Sequence, residues 1–322
     1  MFTKKDIEFK SIYVINCLEK RNLRVSNGEM LLEDTENKKT LTKLPFQKIL
    51  AIFVIGSITI TTPLIEKCLR NNVALVVMKM NLRPVFFLCN SAEANFLLRK
   101  KQYELNKEDI SIAKILMYNK IQNQLTLLVK TRKKDIQTME AVTTCKNALD
   151  KIGQIEDYNE LMGMEGMVAK NFFKAYFQEF EWNQRKPRMK CDYLNVTMDI
   201  GYTVLFNFVE VFVRMFGFDV YCGVYHRLWF KRKSLICDLV EPFRCIIDYQ
   251  IRKSYNLKQF NPDDFIKQRN EVHLQYNKAS EYYKIFYQTL IEYKVEIFTF
   301  VQKYYRCFMQ GDFDKDCPMF SI

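Results

Sequence analysis

The first candidate for chemistry is an acidic residue among apolar neighbours, Glu165 in the stretch 161–169. Two glycines, Gly163 and Gly166, flank it, although each costs a helix about 1 kcal/mol relative to alanine. Glycine is tolerated inside a helix where a ligand or another backbone must approach closely. Helical spacing predicts that the carboxylate of Glu165 points inward, where it needs a cation, a hydrogen-bond donor or a metal as its partner.

Two further stretches bring an imidazole and a pair of carboxylates. His226, one of only two histidines in the chain, follows Gly223, and imidazole suits both metal binding and acid–base work. Asp238 and Glu241 stand three residues apart, so on a helix they share one face. A surface ladder of salt bridges, with Arg244 paired to Glu241, is the alternative interpretation.

Together, one histidine and three carboxylates form a candidate hard-metal site. Oxygen-rich ligands with one imidazole suit Mg²⁺ or Mn²⁺ better than they suit a metal that prefers thiolates. Such an ion polarises a phosphodiester and stabilises the attacking or leaving oxygen. The sequence contains neither a P-loop nor a glycine-rich dinucleotide loop, which disfavours a nucleotide-fuelled enzyme.

Basic residues outnumber acidic ones, 49 against 37, and give a net charge of +12. A surplus of that size favours a polyanionic partner, because each phosphate that is neutralised adds to binding. The segment 99–134 holds ten of these cations against three acids, and we interpret it as part of a DNA track. A solvated helix face is the alternative. The predicted DNA contacts are Arg185, Lys186, Arg188, Lys190, Lys231, Arg232, Lys233 and Arg244.

The elements that must position these side chains can be predicted from the pattern of apolar residues. Scarce glycine and proline, 9 and 7 of 322 residues, favour long helices over an all-β sandwich. Residues 1–90 nevertheless contain β-rich runs, with Asn27-Gly28 as a hairpin signal and one helix near 61–71. We predict an α+β protein, with a small β-rich domain at 1–90 and a larger all-α domain at 91–322. Predicted strands cover 12–17, 23–26, 30–33, 49–55, 73–78 and 85–89, and predicted helices cover 92–105, 108–131, 133–149, 156–181, 192–216, 235–254 and 277–309.

The sequence also limits where the protein is expected to act. Residues 1–10 are charged and lack the apolar core of a secretory signal, and no window holds about 18 uninterrupted apolar residues. The most apolar helical stretch, 203–218, carries Glu210 and Arg214, as a buried core helix can. Ten cysteines without a C-x-x-C pair are expected to be reduced. We therefore predict a cytoplasmic protein without a membrane span.

At these residues the chain resembles the CRISPR-associated integrases of spacer acquisition, the "Cas-one" family. The resemblance covers residues 12–308 and includes Asn195, Gly201-Tyr202 and the run 49–60. The chain departs from the family at Val220, where proline is common, and in the unusually basic residues 231–233. The motifs that carry the resemblance are Leu161-Met162-Gly163-Met164-Glu165-Gly166, Gly223-Val224-Tyr225-His226 and Ser234-Leu235-x-x-Asp238-Leu239-x-Glu241-Pro242-Phe243-Arg244.

The resemblance implies a metal-dependent DNA endonuclease and integrase. Carried over by motif, Glu165, His226 and Glu241 would bind Mg²⁺ or Mn²⁺, with Asp238 as an auxiliary catalytic acid. The 3′-OH of a captured foreign DNA fragment would attack a phosphodiester of a CRISPR repeat array, which serves antiviral defence.

The resemblance also implies partners. The N-terminal β-domain would form a homodimer, and a small companion protein, "Cas-two", would bridge two dimers on the DNA. A nucleic-acid-binding protein without catalysis and a metal-dependent ribonuclease remain the alternatives, since phosphate contacts alone do not distinguish DNA from RNA.

Overall fold

A six-stranded mixed sheet forms the N-terminal part of the chain, with strand order β3-β2-β1-β4-β5-β6. A computed structural model describes residues 2–322 apart from 38, 90–93, 107, 133, 181, 183 and 314–316, with only the backbone described at 18–20. The pairs β1–β4 and β4–β5 are parallel and the others antiparallel. The strands are β1 (Ser11–Ser26), β2 (Glu29–Asp34), β3 (Lys39–Pro45), β4 (Ile49–Ile60), β5 (Ala74–Met78) and β6 (Pro84–Leu88).

The predicted hairpin at Asn27-Gly28 is confirmed. Both residues have positive φ, 50° and 79°, and Ser26 pairs with Glu29 across the two-residue turn. This is the backbone that such a turn requires between right-twisted strands. The strand β3 was not predicted, because its polar and exposed residues lack an alternating apolar pattern.

Long helices make up most of the remaining chain. The α+β class is confirmed, with one addition to the expected all-α region, the exposed hairpin of β7 (Phe265–Gln268) and β8 (Glu271–Leu274). The helices are α1 (Lys4–Phe9), α2 (Thr62–Arg70), α3 (Phe96–Tyr103), α4 (Ser111–Lys130), α5 (Ile136–Lys151), α6 (Tyr158–Tyr176), α7 (Tyr193–Met215), α8 (Ser234–Leu239), α9 (Arg244–Asn256), α10 (Tyr276–Glu292) and α11 (Lys294–Gln310).

Two of the predicted helices are divided. The expected helix 235–254 breaks into α8, a 3₁₀ turn at Glu241–Phe243, and α9, because Pro242 cannot donate a helical hydrogen bond. The expected helix 277–309 ends at Glu292 and resumes at Lys294. The first division matters for the site, because it lets Asp238 and Glu241 face different partners.

Both faces of the sheet are buried at its central strand, β4. The first seven residues of β4 are all buried, as expected for a central strand with parallel neighbours. One face packs under α2 through Leu64 and Cys68. On the other face the ring centre of Phe53 lies 6.0 Å from that of Phe208 on α7 and 5.0 Å from that of Tyr287 on α10. The sheet and the helices therefore share one apolar core.

The predicted division into domains at 90/91 falls on residues outside the described ones, and it stays a prediction. The expected start of a helix at residue 92 also lies outside them, and α3 is described from Phe96.

In the described part of the chain, α7 is the helix long and apolar enough to cross a membrane by length and composition. Of its most apolar window, 72% is buried inside the protein. Its Glu210 is wholly buried and bonds Arg214 and Lys233, at 2.8 and 2.7 Å. The expectation of a core helix is confirmed, while the cytoplasmic location stays a prediction.

Candidate active site

Two of the predicted site carboxylates converge on one buried lysine. Glu165 projects from α6 and Glu241 from the 3₁₀ turn that follows α8. The ammonium of Lys120, on α4, contacts Glu165 Oε1 and lies 2.7 Å from Glu241 Oε2. The side chains of Lys120 and Glu241 are 8% and 4% exposed. Glu165 was expected to need a cation, a hydrogen-bond donor or a metal as its partner. In the structure that partner is a cation.

Opposite charges outweigh burial in this cluster. Burial disfavours the charged form of Lys120, but Glu241 and Glu165 overcome it and raise the pKa of the ammonium. Burial also opposes ionisation of Glu241, yet Arg244 and Lys120 lower its pKa to about 2. The ion pair between Lys120 and Glu241 is therefore charged throughout the neutral range.

The glycines beside Glu165 leave one face of α6 open. A Cβ at Gly163 or Gly166 would meet nothing within 4 Å, so no other backbone approaches there. Met162 and Met167 are 47% and 52% exposed. Gly163, Gly166 and the two methionines thus share the exposed face of α6, which is open to solvent.

The other two predicted residues form a second, adjoining pair. Asp238 Oδ1 accepts from the backbone N–H of His226 at 2.8 Å and lies 2.6 Å from its ring Nδ1. Asp238 Oδ2 accepts from the N–H groups of Val224 and Tyr225, at 2.6 and 3.1 Å. Because both oxygens already act as acceptors, Nδ1 carries the hydrogen that faces Oδ1. The lone pair of His226 therefore resides on Nε2, the atom left for a ligand or a proton.

Close packing fixes the turn that carries His226. A Cβ at Gly223 would lie 2.6 Å from Asp238 Oδ2 and 2.8 Å from Ser234 Cβ, so only glycine fits. Burial raises the pKa of the neighbouring Tyr225 hydroxyl, and the carboxylate of Glu165 raises it further. Asp238 is thus a positioning residue for His226 in this geometry.

A cavity of about 170 Å³ adjoins Lys120 and the two glutamates. Arg244 Nη2 lies 2.9 Å from Glu241 Oε1, and the Arg244 and Arg185 guanidinium groups lie 4.8 and 5.5 Å from the centre of the Tyr202 ring. Tyr202 donates to Asp248 Oδ1 at 2.5 Å, while burial raises the pKa of Asp248 to about 7. Three cations, Lys120, Arg185 and Arg244, and three acids, Glu165, Glu241 and Asp248, line this cavity.

Four of the eight predicted DNA contacts are paired with acids of the protein. Lys186 is half-buried, whereas Arg188, Lys231 and Arg232 are exposed. DNA contact by any of the eight stays a prediction, and the exposed three have the most accessible charge. The pairs are Arg185–Asp199, Lys190–Glu271, Lys233–Glu210 and Arg244–Glu241.

Seven of the ten cations in the basic segment 99–134 contact carbonyl groups or carboxylates of the protein, and DNA contact by this segment stays a prediction. Lys114 donates to the carbonyl groups of Gly153 and Ile155 at 3.1 and 3.0 Å. Lys107 and Lys133 of this segment lie outside the described residues. The other cations that bind carbonyl groups or carboxylates of the protein are Arg99, Lys100, Lys101, Lys120, Lys130 and Lys134.

Sequence reasoning missed Lys120, which it counted only as one of these cations. A signal was present in α4, where four polar residues occupy buried positions: Asn119, Lys120, Asn123 and Gln124. Buried polar residues at successive helical turns indicate a polar partner inside the core. Asn119 and Asn123 bind the carbonyl of Phe320, at 2.7 and 3.1 Å, and Lys120 binds the glutamates.

The donor set can be tested against the predicted metal. The Lys120 ammonium lies between the carboxylates of Glu165 and Glu241. This is the position that a metal ion bound by both carboxylates would occupy. Glu241 Oε2 is buried and has no aligned hydrogen bond, although it lies 2.7 Å from that ammonium. Among the residues that the structure describes, no three His, Cys, Asp or Glu side chains are close enough to hold a metal ion. The two carboxylates fit Mg²⁺ or Mn²⁺ in charge and ligand type, and His226 adjoins them without completing a set of three.

Sequence comparisons place these motifs in a known context. The family model described as "CRISPR associated protein Cas1" matches residues 15–288. The CRISPR-associated endonuclease Cas1 1 of Thermodesulfovibrio yellowstonii is 26% identical over 258 residues, covering 76% of this chain and 81% of the relative. The protein of the same name from Archaeoglobus fulgidus is 27% identical over 277 residues, covering 78% and 79%.

Solved structures share the fold. A Cas1 protein from Thermotoga maritima has a TM-score of 0.76 at 18% identity, covering 93% of this chain and 97% of that one. A casposase bound to an integration product has a TM-score of 0.73 at 19% identity, covering 95% and 93%. A chain of a Cas6-RT-Cas1–Cas2 complex has a TM-score of 0.77 at 17% identity, covering 96% of this chain and 36% of its own length. Since the family match spans the sheet, both glutamates and the His226–Asp238 pair, the chain belongs to the CRISPR-associated Cas1 family.

Proposed function

We propose that this protein is a metal-dependent DNA endonuclease and integrase that inserts foreign DNA fragments into a CRISPR repeat array. One observation carries the proposal: Glu165 and Glu241, from separate elements, converge on a single buried cation. The adjoining His226 ring is held by Asp238. Membership of a family whose relatives are named endonucleases supports the same conclusion.

The residues that would hold Mg²⁺ or Mn²⁺ are Glu165, Glu241 and the Nε2 of His226. A divalent ion bound there supplies charge that polarises a phosphodiester and stabilises the attacking and leaving oxygens. For that ion to be shared by the two glutamates, the Lys120 ammonium must leave its place between them. Lys120 and Arg244 then provide positive charge beside the reacting phosphate.

The reaction proposed is a transesterification. The 3′-oxygen of the captured fragment forms a new bond to a phosphorus of the repeat, while the bond from that phosphorus to the old 3′-oxygen breaks. One phosphodiester replaces another, and the hydroxyl proton of the attacking group ends on the leaving oxygen. No nucleotide is consumed, in agreement with the absence of a P-loop from the sequence.

The partners proposed are DNA, a second copy of the chain joined through the β-rich region, and a Cas2-type companion. The companion is supported by the fold shared with a chain of a Cas6-RT-Cas1–Cas2 complex. DNA is supported by the net charge of +12 and by the exposed cations Arg188, Lys231 and Arg232.

Strand transfer by Glu165→Gln and His226→Ala variants tests the proposal. We expect both to lose the joining of a 3′-OH duplex to a repeat-bearing plasmid, because each removes a ligand, while DNA affinity changes by less than about threefold. Glu160→Gln is the matched control, since Glu160 is an exposed acid on the same helix.

Unchanged strand transfer by both variants would show that the site is wrong. Cleavage of RNA but not of DNA by the parent would favour the ribonuclease. DNA binding without any metal-dependent reaction would favour the non-catalytic alternative.

A further inference from the structure

Residues 318–322 bind the buried face of α4. Asn119 and Phe320 are joined by two hydrogen bonds, because the Asn119 amide donates to the carbonyl of Phe320 at 2.7 Å and accepts from its N–H at 2.9 Å. The N–H of Ile322 donates to Asn123 Oδ1 at 3.2 Å. Both asparagines are buried, at 0% and 1% exposed, so their side chains need these residues as hydrogen-bond partners.

Asn123 also connects residues 318–322 to the turn that carries Glu241. Its amide nitrogen has two hydrogens and lies 3.1 Å from two carbonyl oxygens, those of Phe320 and Pro242. Pro242 directly follows Glu241 in the 3₁₀ turn. One buried amide therefore bridges residues 318–322 and the backbone beside a proposed metal ligand.

The ring of Phe320 packs against the same turn. Its centre lies 4.9 Å from that of Phe243 and 5.9 Å from that of Tyr293. Phe320 is 5% exposed, and Phe243, which also packs against Phe300, is wholly buried. The turn Glu241–Phe243 is thus held at two points, the carbonyl of its second residue and the side chain of its third.

This turn has little support of its own. It is three residues long, and 3₁₀ hydrogen bonds have poorer geometry than those of an α-helix. Pro242 has no N–H to donate, and the N-cap residue, Val240, has no side-chain acceptor with which to cap the turn. Contacts from the rest of the fold must therefore determine where the backbone places the carboxylate of Glu241.

We propose that Asn123 and Phe320 are positioning residues for Glu241. They hold the 3₁₀ turn against α4, which keeps the carboxylate of Glu241 beside that of Glu165, where both can bind one metal ion. The inference rests on the proposed function for the identity of that ligand, a divalent ion. It adds that residues 318–322, which supply none of the proposed metal ligands, set the affinity of the site for the ion.

Metal binding by a Phe320→Ala variant tests this proposal. Calorimetry with MnCl₂ should show an affinity about 10- to 100-fold below that of the parent, as is usual when a residue that supports a metal ligand is lost. Anisotropy of a labelled DNA duplex, in EDTA, should show a DNA affinity within about threefold of the parent's. Met319→Ala is the matched control, because Met319 precedes Phe320 but is 43% exposed, and it should bind Mn²⁺ as the parent does.

The Asn123→Ala variant shows whether Asn123 and Phe320 act on the same turn. Alone, this substitution should weaken Mn²⁺ binding about 10-fold. Because Asn123→Ala and Phe320→Ala release one turn, the double variant should lose clearly less affinity than the product of the two single losses. Losses that multiply would show that the two residues act independently, contrary to the proposal.

Hydrogen exchange, followed by mass spectrometry in EDTA, observes the turn without metal or catalysis. In Phe320→Ala, peptides that cover residues 240–247 should exchange about tenfold faster, because the backbone there loses its support. Peptides from β4 should keep their parental rates, whereas a general loss of stability would raise both. Phe320→Leu, which keeps a large apolar side chain against Phe243, should show nearly parental exchange and Mn²⁺ affinity.

Three results would overturn the proposal: parental Mn²⁺ affinity in a folded Phe320→Ala variant, parental exchange in residues 240–247, or an equal increase of exchange in β4. If Phe320→Ala does not fold, Asn123→Ala takes its place in the same comparisons. A parent that binds no Mn²⁺ would overturn the proposed function, and the exchange experiment would still decide whether residues 318–322 hold the turn.

Discussion

At the scale of single residues, the site consists of two pairs with separate tasks. Glu165 and Glu241 both contact the ammonium of Lys120. Both carboxylate oxygens of Asp238 instead accept hydrogen bonds from the turn that carries His226. The division follows from the direction of each side chain. A carboxylate that accepts three backbone N–H groups and a ring nitrogen has little capacity left for a metal or a substrate.

Asp238→Asn tests this positioning role. An amide can present one oxygen and one NH₂ group, so it cannot serve all four donors, and the His226 ring loses the acceptor that fixes its hydrogen on Nδ1. We expect Mn²⁺ affinity, measured by calorimetry, to fall about 10- to 100-fold, and strand transfer to fall with it.

The Asp238→Asn effect must be separated from unfolding. Thermal denaturation followed by circular dichroism shows whether the variant is folded at the assay temperature. Asp263→Asn, on an exposed turn, serves as the control. A folded Asp238→Asn variant with parental metal affinity would contradict the assignment.

At the scale of elements, the helices that position the site meet at close contacts. A Cβ at Gly201, on α7, would lie 2.5 Å from Ile247 Cγ2 on α9 and 3.0 Å from the Phe286 ring on α10. Gly163, in the middle of α6, meets nothing within 4 Å. Packing therefore requires the first helical glycine, whereas the second lies on the exposed face of α6, where a side chain would fit.

Alanine at each glycine tests this difference. Gly201→Ala should lower the free energy of unfolding by about 1–3 kcal/mol, because the steric cost of the added methyl group exceeds the gain in helix propensity. Gly163→Ala should raise it by about 0.5–1 kcal/mol, since nothing opposes that gain. Urea denaturation measures both, and a stable Gly201→Ala variant would show that α9 and α10 can move apart without cost.

At the scale of the whole molecule, the β-rich and helical parts are joined by a continuous core. Phe53 of β4 packs against Phe208 and Tyr287, and the Tyr283 hydroxyl donates to the carbonyl of Met80 at 2.7 Å. Burying aromatic rings between two parts of a chain couples their unfolding.

Phe53→Ala should therefore destabilise both parts. We expect a loss of about 3–5 kcal/mol, with the same shift in midpoint whether unfolding is followed by far-ultraviolet circular dichroism or by tryptophan fluorescence. Both tryptophans, Trp182 and Trp229, lie in the helical part. A shift confined to circular dichroism would show that residues 1–90 unfold separately, as two independent domains do.

The sequence by itself determined many of the elements and the candidate residues. The Asn27-Gly28 turn and the helices around Glu165 could be predicted because turn chemistry and apolar periodicity are local properties. The set of Glu165, His226, Asp238 and Glu241 was found from polar residues in apolar surroundings and from their resemblance to a family.

Only the tertiary structure decided which residues are partners. Lys120 stands 45 residues before Glu165 and 121 before Glu241, and no local pattern encodes that meeting. The break at Pro242 turned Asp238 toward His226 and Glu241 toward Lys120, although a continuous helix would have set both on one face. Within 99–134, the buried Lys120 meets two carboxylates, because desolvated charged groups require partners wherever the packing brings them.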